Sequence, residues 1–125
     1  WRAVGGIVAS FKVPLKIDQG ASFSKLVTWK TGTPAVAVNL TGCTARAHVR
    51  ETLEAAAVLL DLSTANGKIV LGGSAGTVEI TLSATETAAI NWRAAVYDLE
   101  ITFPDATVRR LMHGSVSVSP EVTRV

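Results

Sequence analysis

The stretch YDLEITFPDATVRRLMHGSVSVSPEVTR, residues 97–124, decides the fold class, because it alternates apolar and polar residues over two successive runs. Tyr97, Leu99, Ile101 and Phe103 share one face of the first run, and Val108, Met112, Val116 and Val118 share one on the return. Successive side chains of a strand point to opposite faces, so this spacing describes two half-buried strands. One place breaks the pattern: Arg110 falls in the apolar set and Leu111 falls outside it. Two readings account for the break. Either adjacent Arg109 and Arg110 form a bulge, where two residues oppose one and the phase resets. Or the phase persists, Arg110 reaches the rim of the sheet, and Leu111 faces a partner subunit. The bulge is the simpler account.

The same period recurs upstream. In FKVPLKID, Val13, Leu15 and Ile17 point one way, while Pro14, which cannot donate to a ladder, marks an edge or bulged strand. Gln19 and Gly20 make a turn, and Phe23, Val27 and Trp29 continue in phase. CTARAHVRE pairs an apolar face of Cys43, Ala45, Ala47 and Val49 with a basic face carrying Arg46, His48 and Arg50. Val58, Leu60 and Leu62 follow in phase, and Asn66-Gly67 then gives the strongest hairpin signal in the chain. GGSAG reads as a turn, and Val78, Ile80 and Leu82 point inward beyond it.

The one helical segment is SATETAAINW, predicted over 84–90, with Glu86 three residues after Ser83 as a capping box requires. About eight strands at this spacing predict an all-β fold, an antiparallel immunoglobulin-like β-sandwich with one short helical turn. TETAAINWRAAVYDL resembles the corner of immunoglobulin-like domains, where a Tyr opens a late core strand. Leu99 stands where antibody-type domains carry a disulfide cysteine, so the likeness extends to the corner and not to the disulfide. Tyr97 reads equally well as a plain buried aromatic, with the same fold class. The predicted core comprises Val13, Leu15, Ile17, Val27, Trp29, Val49, Leu60, Leu62, Ile80, Leu82, Tyr97, Leu99 and Ile101.

A chain of 125 residues supports one core, organised as an N-terminal arm, 1–11, and a single sandwich domain, 12–125. With 48% hydrophobic and 18% charged residues, disorder is not expected. Twelve Lys and Arg face ten Asp and Glu, and this net charge of +2 is too small for a nucleic-acid partner. No apolar run approaches the roughly 20 residues that span a bilayer, so no membrane partner is expected. WRAVGGIVAS has no long apolar region or cleavage site and is not read as a signal peptide. Cys43 is the only cysteine, which excludes an internal disulfide framework.

Catalytic groups are not gathered in the sequence. His48 and His113 lack companions at metal-ligand spacing, Cys43 lies in an apolar phase, and Asp18, Asp61, Asp98 and Asp105 fall outward or in turns. The expectation is a non-enzyme with no cofactor and no metal. Trp29 follows a core phase, Trp92 plugs the helical corner, and only Trp1 reads as exposed. Arg46, His48 and Arg50 read as a solvated face or an intersubunit ion-pair row, with anion binding behind.

KIDQGASFS, NLTGCTARAHVR, GTVEITLSATETAAI, YDLEI and GSVSVSPEVTR, in that order, resemble small immunoglobulin-like β-sandwich virion proteins of tailed bacteriophages. The likeness covers roughly residues 12–124 and is to baseplate and tail-fibre attachment modules, including the N-terminal domain of baseplate upper proteins. It implies a structural role in the virion, in a protein made in the host cytoplasm. The implied partners are other virion proteins and further copies of the chain, with a homo-oligomer, a trimer first, expected. The alternative reading is a carbohydrate-binding module that recognises a host surface glycan, and it requires at least two exposed coplanar rings. The predicted interface residues are Trp1, Ile7, Val8, Leu59, Val96, Arg110 and Leu111. Leu59, Val96 and Leu111 lie on outward phases, and the first ten residues are apolar, so a monomer would expose a large apolar patch. Residues 1–10 are therefore expected to lie along a neighbouring subunit and add a strand to its edge.

Overall fold

The computed structural model describes residues 11–123. The alternating segments become β1 (Phe11–Lys12), β2 (Leu15–Asp18), β3 (Phe23–Thr28), β4 (Lys30–Thr31), β5 (Val36–Ala37), β6 (Thr44–Arg50), β7 (Leu60–Ser63), β8 (Ile69–Leu71), β9 (Thr77–Leu82), the helix α1 (Ala84–Ala88), β10 (Ala94–Thr102) and β11 (Val108–Ser119). The larger sheet runs β1-β11-β10-β6-β7, with β2 also on β11; the smaller runs β3-β9-β8; β4 and β5 form a separate hairpin. In the nomenclature of immunoglobulin sandwiches, β3, β9 and β8 take the places of strands B, E and D. The strands β11, β10, β6 and β7 then take those of G, F, C and C′. The fold is all-β and sandwich-like, with a single 3-10 turn at Gly73–Ala75 between the D and E strands and one short α-helix between the E and F strands among the described residues.

Alternation builds the core. Ala45, Ala47, Val49, Ala95, Tyr97, Leu99 and Ile101 of the larger sheet and Val78, Ile80 and Leu82 of the smaller one are buried in one cluster. Of the predicted core, Val13, Val27 and Leu60 are half-buried and pack against that cluster. Two residues assigned to inward phases point out instead. Val58 and Val108 are exposed, because Val58 precedes β7 and Val108, opposite Thr102, lies on the outer face with Arg110, ahead of a break in the β11 register.

Pairing is antiparallel except at the start of the chain, where β1 and β2 both run parallel to β11. They are two halves of one strand interrupted at Val13 and Pro14, where the sequence places a residue without an N–H. Gly114 lies under the interruption, and a Cβ there would stand 2.7 Å from the Val13 carbonyl oxygen. The Tyr97 hydroxyl fills the gap in the ladder, donating to that carbonyl at 2.6 Å. A tyrosine corner bonds back to the backbone a few residues upstream. Tyr97 instead ties strand F to the first strand, so the corner reading is replaced by a cross-strand tie.

The break at Arg110 is a bulge. Leu99 pairs with Met112 and Glu100 with Arg110, leaving Leu111 as the extra residue. Leu111 and Met112 are therefore consecutive and both buried, at 3% and 1% exposure. The expectation that Leu111 faces outward is corrected, and the bulge sits one residue later than the sequence reading placed it. Leu59 is corrected too: it is half-buried, packs against the core, and donates its N–H to the Val49 carbonyl at 2.7 Å. The Asn66-Gly67 turn also differs from expectation. It carries the chain from β7 in one sheet to β8 in the other, so no hairpin forms. Gly67 takes the positive φ of +79° the turn demands, and the Asn66 side chain receives the N–H groups of Ser63 and Lys68 at 3.0 and 3.1 Å.

The capping box forms as the sequence predicts, with Ser83 accepting from Glu86 N–H and Glu86 accepting from Ser83 N–H. The helix ends at Ala88, short of the predicted 90. Fully buried Thr87 accepts from Gly20 N–H at 3.0 Å and donates to Ala21 O at 2.8 Å. The helix is thereby clamped to the turn after β2. Among the described residues β3 pairs only with β9, and it carries Lys25 on its inward phase opposite Ile80, a charge that discourages edge-to-edge pairing.

Candidate functional site

The outer face of the larger sheet is where the polar half of the alternation collects. Register, rather than sequence proximity, sets its pattern. One row crosses five strands: Asp61, His48, Asp98, His113 and Lys12 are successive ladder partners from β7 to β1. The adjacent row places Glu100 between Arg46 and Arg110. The bulge creates this second row, since without the extra residue Arg110 could not stand on the outer face while Met112 stays inside. Opposite charges directly across a strand pair contribute about 0.2–1 kcal/mol each.

Contacts within the face hold it in shape. Arg110 Nη1 lies 4.0 Å from Asp98 Oδ2, and His48 Nε2 lies 3.5 Å from Asp61 Oδ1. Arg50 donates to the carbonyls of Ala55 and Ala56 at 3.0 and 2.7 Å, folding the loop after β6 over the sheet. Its other nitrogen lies 3.3 Å from His48 Nδ1. Arginine only donates, so His48 fits there as the Nε2–H tautomer, with its proton toward Asp61. The folded-back loop leaves Leu53 at the rim, 81% exposed. Together these residues enclose a concavity of about 460 Å³.

The predicted interface residues divide. Val96 and Arg110 meet in this concavity, whereas Leu59 and Leu111 belong to the core side of the sheet. Trp1, Ile7 and Val8 lie outside the described residues, as does the predicted arm except Phe11, which pairs in β1 with Met112. The apolar patch invoked for self-association loses Leu59 and Leu111 as members. His113 sits on an inner strand of the sheet between Asp98 and Lys12. Sequence reasoning missed Lys12, Asp98, Glu100 and Leu53 as parts of one surface. The available signal was outward-phase charge at Lys12 on one strand and at Asp98 and Glu100 on another, but only the register brings those charges together.

Other reactive groups lie elsewhere. Burial pushes the Cys43 thiol above its ordinary range, and Asp105 adds to the shift. That is opposite to the activation a nucleophilic thiol requires. Among the described residues, no group of three or more His, Cys, Asp or Glu is placed to hold a metal ion. Trp29 is buried, its ring edge-on to Phe103 at 6.0 Å between centroids, and Trp92 packs against the core. No protein-family model matches the chain, and no curated protein matches its sequence.

Proposed function

We propose that this chain is a non-enzymatic structural module of a tailed-bacteriophage virion, in the tail, baseplate or fibre attachment, that works through protein–protein contacts. Its partners are further copies of itself, as a homo-oligomer with a trimer favoured, and other virion proteins. The likeness of five ordered sequence segments to baseplate and tail-fibre modules supplies the virion setting. The observation that carries the docking role is the concave outer face of the larger sheet. Its side chains are positioned by ladder pairing, by the bulge in β11 and by mutual contacts, so a partner meets a preformed surface and little ordering entropy opposes binding. The glycan-binding alternative needs exposed coplanar rings, and Trp29 and Trp92 are committed to the core.

Multi-angle light scattering of the intact chain across a concentration series tests the self-association. A homo-oligomer at high concentration is the expected result, and a monomer throughout refutes it. Labelling of intact phage particles by an antibody raised against the chain tests the virion setting.

A further inference from the structure

The concave face differs from the rest of the surface in charge. Its lining holds four permanent cations, Lys12, Arg46, Arg50 and Arg110, against two carboxylates, Asp98 and Glu100. That excess of two equals the +2 of the whole chain, so the other charged residues cancel one another. Asp61 stands at the rim, occupied with His48. A cleft with an excess of one charge over a low-dielectric floor attracts the opposite charge and raises its rate of association. Arg46 makes no hydrogen bond or ion pair with another described residue, so its fork remains available.

Shape and polarity narrow the occupant. A concave surface cannot accept its own copy face to face; it takes a narrow segment. Leu53 at the rim and half-buried Val96 on the floor offer apolar contact beside the cations. The aromatic residue of the floor, Tyr97, turns its ring inward to the Val13 carbonyl, leaving no ring face for a sugar. Arg46 and Arg110 are two strands apart, about 10 Å, which is close to the span of three residues in an extended chain.

We infer that this face docks an extended acidic peptide segment of a partner protein, its carboxylates meeting Arg46, Arg110 and Lys12 and an apolar side chain resting between Leu53 and Val96. The inference rests on the reading of the chain as a docking module and names the chemistry of the partner. Guanidinium groups suit this role because they bind carboxylates through two parallel hydrogen bonds.

The test is fluorescence anisotropy of a labelled peptide of repeated Glu-Val-Gly units, titrated with the intact chain, beside its Lys-Val-Gly counterpart. The Glu peptide is expected to bind saturably and more weakly as salt rises, with the Lys peptide weaker by about tenfold or more. Arg46→Glu should weaken the Glu peptide by about tenfold or more, the loss of one charge-assisted contact. Arg46→Gln serves in its place should the charge reversal disturb folding. Lys30→Glu, on β4 outside the concavity, should leave binding unchanged. Equal binding of the two peptides, or equal weakening by Lys30→Glu and Arg46→Glu, overturns the inference. So does Arg46-dependent capture of a sulfated polysaccharide with no binding of the Glu peptide. An oligomer that ignores the Glu peptide overturns the acidic partner alone. A monomer that binds it overturns the self-association and leaves the acidic partner standing.

Discussion

Replacing Tyr97 with Phe isolates the tie that joins the first strand to the rest of the larger sheet. The ring is 4% exposed and its hydroxyl donates at 2.6 Å to the Val13 carbonyl, so Phe keeps the buried ring and loses only the donor. A buried acceptor left without a partner costs about 1–3 kcal/mol. Val13 is half-buried and flanks Pro14, so water reaches part of the vacated carbonyl and the lower part of that range, about 1–2 kcal/mol, applies. In a domain of this size each kcal/mol moves the melting temperature by about 3–5 °C, so a drop of roughly 3–10 °C is expected at neutral pH.

Alkaline pH supplies a second reading of the same group. Burial holds the Tyr97 phenol above its ordinary range, so the unfolded chain ionises first as pH rises. The folded protein binds more protons than the unfolded chain in that window. Stability from this group is full below about pH 10 and is lost progressively above it. Tyr97→Phe has no such loss, so the gap in melting temperature between the two proteins should close as pH climbs. The chain has one tyrosine, so the phenolate absorbance of the folded protein reports on this residue alone. An unchanged melting temperature at neutral pH, or a gap that stays constant into the alkaline range, refutes the reasoning.

Leu99, with no exposed surface, should cost about 2–5 kcal/mol on truncation to Ala, while exposed Lys16→Ala leaves the denaturant midpoint within error. Thr87→Val should destabilise by about 1–3 kcal/mol, because the Gly20 N–H and Ala21 carbonyl lose one shared partner; urea titration reads this directly. Gly114→Ala should lower the melting temperature and speed amide exchange in β1 and β2, since its methyl group meets backbone at 2.7 Å. The Lys68 side chain, then the Ser83 N–H, hold the Glu86 carboxyl below its usual range. That contribution is present above the unfolded carboxylate pKa, about 4.3, and fades as pH falls through the lower folded value. Glu86→Gln, which keeps the cap but not the charge, should therefore flatten the acid limb of a melting-temperature profile.

Much of the fold was legible because its signals are local. Strand phase in β6 and β9 follows from neighbouring residues, and the Ser83–Glu86 cap is written within four positions. The failures share a cause. Asn66-Gly67 fixes a reversal of direction, but turn chemistry does not say which sheet the next strand will join. Two buried residues in succession at Leu111 and Met112 depend on β10 across the ladder, and no window of β11 alone contains that information. The concave face was hardest to read: Asp98 has a histidine on each side only after β6, β10 and β11 are in register.

The extra residue in β11 also bears on how the strand tolerates changes of length. Removing Leu111 would leave every ladder pair of β10 and β11 intact and make the strand regular, at the loss of one buried side chain. Removing Arg109 would instead shift the pairing between the bulge and the turn that follows β10. A bulge also bends its strand and tightens the local twist. The curvature of the charged face thus depends on an apolar residue that does not line it. In any sequence aligned to this one, a single gap opposite Leu111 is a statement about surface shape, and a gap placed two residues earlier assigns the arginines to the wrong side of the sheet.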